Sequence, residues 1–165
     1  MKTLILIRHA KSSWNDAVLN DFERSLNARG LSDAPIMGER LNQRLANANQ
    51  PLDALLCSSA QRADQTAHLL AASLGFPTDR IDWHRELYLA NPQTMLSIIQ
   101  ALPNNITTAA LVAHNPGISE LAEKLTGERF GDVPTCAVIS IELPIDDWLD
   151  AGNWADLIDY DYPKR

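Results

Sequence analysis

Cysteine, positive charge and long apolar runs are all scarce in this chain, and each shortage removes a class of protein. Only two cysteines occur in 165 residues, Cys57 and Cys136, each in an apolar stretch and far apart. A disulfide-stapled secreted scaffold is therefore not indicated, and buried free thiols in a reducing compartment are expected. Lys and Arg number 14 against 21 Asp and Glu, for a formal net charge of −7. Many of the acids lie near the C-terminus, at Asp146, Asp147, Asp150, Asp156, Asp159 and Asp161. A surface of that sign repels a polyanion, which argues against nucleic-acid binding. The apolar stretch before Arg8 is too short for a signal-peptide core, and no later run approaches a membrane span. The expectation is a cytoplasmic protein with no membrane partner. Low-complexity tracts and solenoid repeats are missing too. So are Cys-x-x-Cys, His-Glu-x-x-His and acidic-triad patterns, and neither a metal nor another cofactor is expected.

What remains is an ordinary globular composition, 45% hydrophobic and 21% charged. At this length it predicts one domain over residues 1–165 with a real core. The run at 4–7 suits a strand buried on both faces, and it stops abruptly at Arg8-His9. Residues 12–27 are polar, with Trp14 and Phe22 as isolated anchors, and predict a long loop ended by Gly30. Ser32 or Asp33 is placed to cap a helix to about residue 46, with Ile36, Met37, Leu41 and Leu45 on one face.

A second strand is predicted at 52–57. Ser58-Ser59 would then cap a helix over 60–74, closed by Gly75. A brief strand at 81–83 and a helix from Pro92 to about 102 follow. A third full strand at 109–113 leads through His114-Asn115-Pro116-Gly117 into a helix to about 125. Strands at 137–143 and 154–160 complete the chain, the last at an edge. The alternation predicts an α/β fold, with a mostly parallel central sheet between helix layers.

Three predicted strand ends carry polar chemistry. The first releases Arg8-His9, the second Ser58-Ser59 and then Arg62, the third His114-Asn115. Ligands of open parallel sheets bind beyond the carboxyl ends of the strands, so these residues are expected to share one crevice. Two arginines and two histidines gathered in an acidic protein call for an anion between them. Arginine's planar fork matches phosphate oxygens, and histidine serves as nucleophile or donor near neutral pH. Each residue alone is more often structural or solvated than catalytic; their joint placement carries the expectation. A phosphoryl group is the implied ligand, and positioning and charge stabilisation can be supplied without a metal.

The segment Arg8-His9-Ala10-Lys11 resembles the Arg-His-Gly signature of the histidine phosphatase superfamily, which includes the phosphoglycerate mutases. Residues 58–67 resemble its second-arginine segment, and 113–117 its second-histidine segment, in matching order across about the first 125 residues. Ala10 through Trp14, residues 21–30 and residues 86–90 are similar to the small SixA-type phosphohistidine phosphatases. Ala10 replaces the usual glycine and would be strained if the position required a positive φ. Ser59 stands where proline is common.

The resemblance implies a three-layer α/β/α sandwich of the phosphoglycerate mutase-like type and a two-step reaction. His9 takes up the phosphoryl group and water then releases phosphate. Arg8 and Arg62 would hold its oxygens, and His114 would donate a hydrogen bond. Arg24, Lys11 and Asn115 are further candidates for substrate contact, with a loop pairing to Asp21 as the alternative for Arg24. Larger relatives protonate the leaving oxygen with a carboxylate. Glu86 lies in the right part of the chain for that role, with a structural role as the even alternative. His68 and His84 are weaker candidates.

The implied partner is a phosphorylated protein, such as a histidine phosphotransfer domain, or else a small phosphorylated substrate; a monomer is expected. A cysteine phosphatase is excluded by spacing, because four residues separate Cys57 from Arg62 where that chemistry needs five. A mutase or small-molecule phosphatase of the same fold, and a non-catalytic phosphate-binding module, remain as alternatives. The short chain leaves little sequence for a lid, which favours hydrolysis at an open site.

Overall fold

The computed structural model describes residues 1–14 and 20–165. Its core is a six-stranded sheet in the order β3-β2-β4-β1-β5-β6. The strands are β1 (Lys2–Arg8), β2 (Ala54–Ser58), β3 (Ile81–His84), β4 (Thr108–Ala113), β5 (Val138–Leu143) and β6 (Asp156–Asp161). Four neighbours, β3-β2-β4-β1, run parallel; β5 pairs antiparallel with β1, and β6 pairs antiparallel with β5. The helices are α1 (Ala28–Asn47), α2 (Gln61–Leu74), α3 (Pro92–Gln100) and α4 (Gly117–Thr126).

Alternate residues of the central strands feed two separate cores, as the two-residue period of a strand dictates. Ile5, Ile7, Leu55, Cys57, Ala110 and Val112 pack with α1 and α2. Leu4, Leu6, Leu56, Ala109 and Leu111 pack with α3 and α4 on the opposite face. The result is the three-layer α/β/α sandwich of the phosphoglycerate mutase-like type. Among the described residues no helix is long and apolar enough to cross a membrane.

Several local expectations shift. Helix α1 begins at Ala28, earlier than expected, because the Asn27 side chain accepts the Gly30 amide at 2.9 Å and supplies the N-terminal cap. Gly30 is therefore inside the helix rather than at the end of a loop. A Cβ there would stand 2.2 Å from the Lys11 carbonyl oxygen, so only glycine allows the helix to lie against the segment leaving β1. The buried stripe of α1 is Gly30, Ala34, Met37, Gly38, Leu41 and Leu45, and Ile36 faces solvent.

The expected loop over 12–27 is partly ordered. Ser12 and Leu26 form an antiparallel bridge, and Asp21–Glu23 makes a short 3-10 turn; residues 15–19 of that expected loop lie outside the described ones. Strand β2 starts at Ala54, α3 stops at Gln100, and Trp154 is exposed ahead of β6 rather than part of it.

Candidate active site

Strand pairing levels the three polar strand ends. Arg8 pairs with Ala113 across β1 and β4, and Cys57 pairs with Val112 across β2 and β4. His9 and His114 therefore follow at the same level, with Ser58 beside Ala113 one residue short of them and Arg62 in the first turn of α2. The His9 amide donates to the Ala113 carbonyl at 3.0 Å, and the two imidazole rings are 5.2 Å apart between centroids. A cleft of about 300 Å³ opens above them. Of the expected residues it gathers Arg8, His9, Lys11, Arg24, Arg62, His114 and Asn115, together with Ser12, Trp14, Asp21, Leu89 and Thr135.

His9 is oriented by its own neighbour: Nδ1 is 2.8 Å from the Ala10 carbonyl, which accepts only if Nδ1 carries the proton. Nε2 is then a lone pair, and Arg62 Nε donates towards it at 3.4 Å. Burial holds the ring well below its ordinary range, at about 3, with Arg62 and Arg8 adding in the same direction. His114 is likewise held at about 3, first by burial and then by His9 and Arg62. Both rings are neutral at physiological pH, the form in which an imidazole can offer one lone pair and one proton. Ala10 has no positive φ, so alanine is unstrained there. Its amide donates to Thr66 Oγ1 at 3.0 Å, tying the loop after β1 to α2.

The arginines are held from different sides. Arg8 Nη1 donates to the Val133 carbonyl at 2.7 Å, while its Nε is buried with no hydrogen-bond partner among the described residues, as is His114 Nδ1. A buried donor without a partner costs about 1–3 kcal/mol, and preorganised anion sites carry such donors. Arg24 donates to Asp21 Oδ1 at 3.0 Å and to Ser12 Oγ at 2.9 Å, with its guanidinium 3.4 Å from the centroid of the Trp14 ring. The expected Arg24–Asp21 pair thus forms inside the cleft. Lys11 is exposed at the edge.

Asn115 lines the cleft but is engaged as a brace. Its Oδ1 accepts the Ser119 amide at 3.2 Å and Ser119 Oγ at 2.9 Å, and its Nδ2 donates to the Val133 carbonyl at 3.3 Å. The same carbonyl holds Arg8.

Glu86 is not brought to the cleft. It is exposed, and its carboxyl lies 3.8 Å from His84 Nδ1. His84 also pairs with Asp82, and His68 with Asp64, both away from the cleft. Cys57 is fully buried and burial pushes its thiol well up, which leaves no thiolate to compete with His9.

Asp21 is a site residue that residue patterns did not single out. Its backbone carbonyl accepts Arg62 Nη1 at 2.7 Å, and its Oδ2 accepts Arg62 Nη2 at 3.0 Å and the Tyr88 hydroxyl. Burial alone would raise its pKa, but the Tyr88 hydroxyl and Arg62 outweigh it and bring the carboxyl to about 2. The cleft therefore sets three guanidinium groups and the Lys11 ammonium against one carboxylate among its lining residues. That is a local positive field in a chain of net charge −7. Among the described residues no group of three or more His, Cys, Asp or Glu gathers to hold a metal ion.

A model of the histidine phosphatase superfamily (branch 1) matches residues 4–135, and the chain belongs to that superfamily. An uncharacterised Mycobacterium tuberculosis protein is 36% identical over 155 residues, covering 92% of this chain and 91% of the relative. Among solved structures, the protein histidine phosphatase SixA complexed with tungstate superposes with a TM-score of 0.81 at 21% identity, over 98% of this chain and 97% of that one. A SixA structure from Agrobacterium tumefaciens gives 0.80 at 29% identity, over 98% of both chains. The mycobacterial glucosyl-3-phosphoglycerate phosphatase gives 0.68 at 15% identity, over 95% of this chain and 97% of that one.

Proposed function

We propose that this protein is a phosphatase that removes the phosphoryl group from phosphohistidine in a protein, passing it through His9. The observation that carries the reading is the His9 imidazole: neutral, held by Ala10 at Nδ1, with Nε2 directed among arginines. In the first step Nε2 forms a bond to phosphorus as the bond from phosphorus to the substrate nitrogen breaks. The leaving imidazole takes its proton from solvent. In the second step water attacks the phosphorus on His9 and inorganic phosphate departs. Arg8, Arg62 and Arg24 hold the equatorial oxygens, with Lys11 adding charge at the edge and His114 donating from its ring.

Two features support phosphohistidine over an alkyl phosphate. An alkoxide leaves poorly without a nearby acid. Glu86 stands outside the cleft, and Asp21, with a pKa of about 2, is ionised at neutral pH. An imidazole needs no such acid. The opening is flanked by exposed Trp14 and Leu89, apolar surface suited to a protein carrying the phosphoryl group. Similarity over nearly the whole length to SixA structures agrees with this choice.

The test compares release of phosphate from a phosphohistidine protein with release from small phosphate esters, for wild type and His9→Ala. The reading expects a strong preference for phosphohistidine and loss of activity in the variant. Preference for a sugar phosphate would move the substrate class to small molecules, and full activity in His9→Ala would reject the mechanism.

A further inference from the structure

Ser58, the last residue of β2, is fully buried, and its hydroxyl lies 2.7 Å from His114 Nε2. It does not line the cleft, and the transfer scheme above makes no use of it. Its position after a strand and before a helix predicts a capping role, yet α2 has Ala60 at the cap position with no side-chain hydrogen bond there. What Ser58 Oγ does receive is the Ala60 amide, at 3.3 Å. That donor takes up a lone pair and leaves the hydroxyl proton to be given away. Among the described residues, the acceptor in reach of that proton is His114 Nε2.

A neutral imidazole has one donor nitrogen and one acceptor nitrogen. With Nε2 accepting from Ser58, the ring proton belongs on Nδ1. That nitrogen is buried and has no hydrogen-bond partner among the described residues. The opposite tautomer would leave Nδ1 with a lone pair in place of a proton and strand the Ser58 proton. Tyr88 restrains the ring from another side, edge-on at 5.5 Å between centroids and 80° between planes. Burial of His114 removes the cationic alternative in which both nitrogens would donate.

We infer that Ser58 fixes His114 as the Nδ1–H tautomer, and so makes that ring a donor to the phosphoryl group. Ser58 is a positioning residue, acting through His114. The target of the donor rests on the phosphatase reading; the tautomer does not.

The experiment is long-range proton–nitrogen NMR of the imidazole rings at neutral pH, on wild type, Ser58→Ala and Ser58→Thr. The His114 ring is assigned by its loss in His114→Asn, and turnover of a phosphohistidine protein is measured alongside. Wild type is expected to show the Nδ1–H pattern. Ser58→Ala is expected to move the ring towards Nε2–H and to lower kcat roughly 10- to 100-fold, with a smaller effect on KM. Ser58→Thr keeps a hydroxyl and is expected to restore both. An Nε2–H tautomer in wild type would overturn the inference, as would a Ser58→Ala variant with unchanged tautomer and kcat. Should the alanine variant fail to fold, wild type and Ser58→Thr still decide the tautomer. A wild-type Nδ1–H tautomer with no phosphohistidine turnover would reject the phosphohistidine reading and leave the role of Ser58 standing.

Discussion

Asp21 grips Arg62 twice, accepting one terminal nitrogen on its backbone carbonyl at 2.7 Å and the other on its carboxylate at 3.0 Å. With Nε of the same guanidinium aimed at His9 Nε2, every donor nitrogen of Arg62 has an assigned direction. The carboxylate also takes Arg24, so a single acidic side chain sets the spacing of two guanidinium groups in the cleft.

Removing that charge separates binding from turnover. Asp21→Asn leaves a side chain of the same shape that cannot accept from both guanidinium groups with full charge. Inorganic phosphate is expected to inhibit the variant more tightly, because the cleft becomes more positive. Turnover is expected to fall about 10- to 100-fold as the arginines lose their register. Steady-state kinetics with phosphate as inhibitor read both effects. Unchanged values of each would show that Asp21 does not order the site.

Arg62→Lys tests geometry against charge. A lysine keeps the positive charge but is a point donor and cannot face His9 and Asp21 together. The expected loss in kcat is about 100- to 1,000-fold. A loss under threefold would mean that charge alone suffices.

The two buried histidines make stability depend on pH. Each is held at about 3 in the folded protein against an ordinary 6.5, so the unfolded chain binds more protons between those values. Their contribution is complete above about 6.5 and is lost as pH falls from there towards 3, by up to about 1.4 kcal/mol per pH unit for each ring. Asp21, lowered from 3.8 to about 2, adds a loss in the same direction at more acid pH. Urea midpoints taken at pH 7, 6 and 5 should therefore decline, and His9→Asn or His114→Asn should flatten the decline. A flat wild-type profile would show that neither ring is buried neutral.

Gly30→Ala tests the close packing beneath the site. Its Cβ would meet the Lys11 carbonyl at 2.2 Å, a backbone atom with nowhere to move cheaply. A destabilisation of about 1–3 kcal/mol is expected, measurable as a lower urea midpoint with an unchanged slope. A neutral substitution would mean that α1 shifts freely against the segment after β1.

The sheet and the central site residues were legible because the signals are local and abrupt. Apolar runs that end at Arg8-His9 and at His114 mark buried parallel strands and the edge on which the cleft opens. Asp21 was legible only as a partner of Arg24: it sits in a polar stretch without periodicity, and its second grip, on Arg62, exists only once the turn at Asp21–Glu23 folds over α2. Ser58 was misassigned for a different reason. A serine between strand and helix fits a cap equally well, and only the folded arrangement of β2 and β4 brings its hydroxyl to His114 Nε2. The start of α1 was missed because Asn27, not Ser32 or Asp33, finds the free amide. Glu86 was placed by its position in the chain, which did not determine where its side chain points.

The most direct test of the central claim is chemical trapping of phosphate on the protein. Wild type is mixed with a phosphohistidine protein, quenched rapidly, and mapped by mass spectrometry under alkaline conditions. The account predicts one acid-labile, alkali-stable phosphate on His9, absent from His9→Ala. Turnover with no such adduct, or an adduct on another residue, would contradict it.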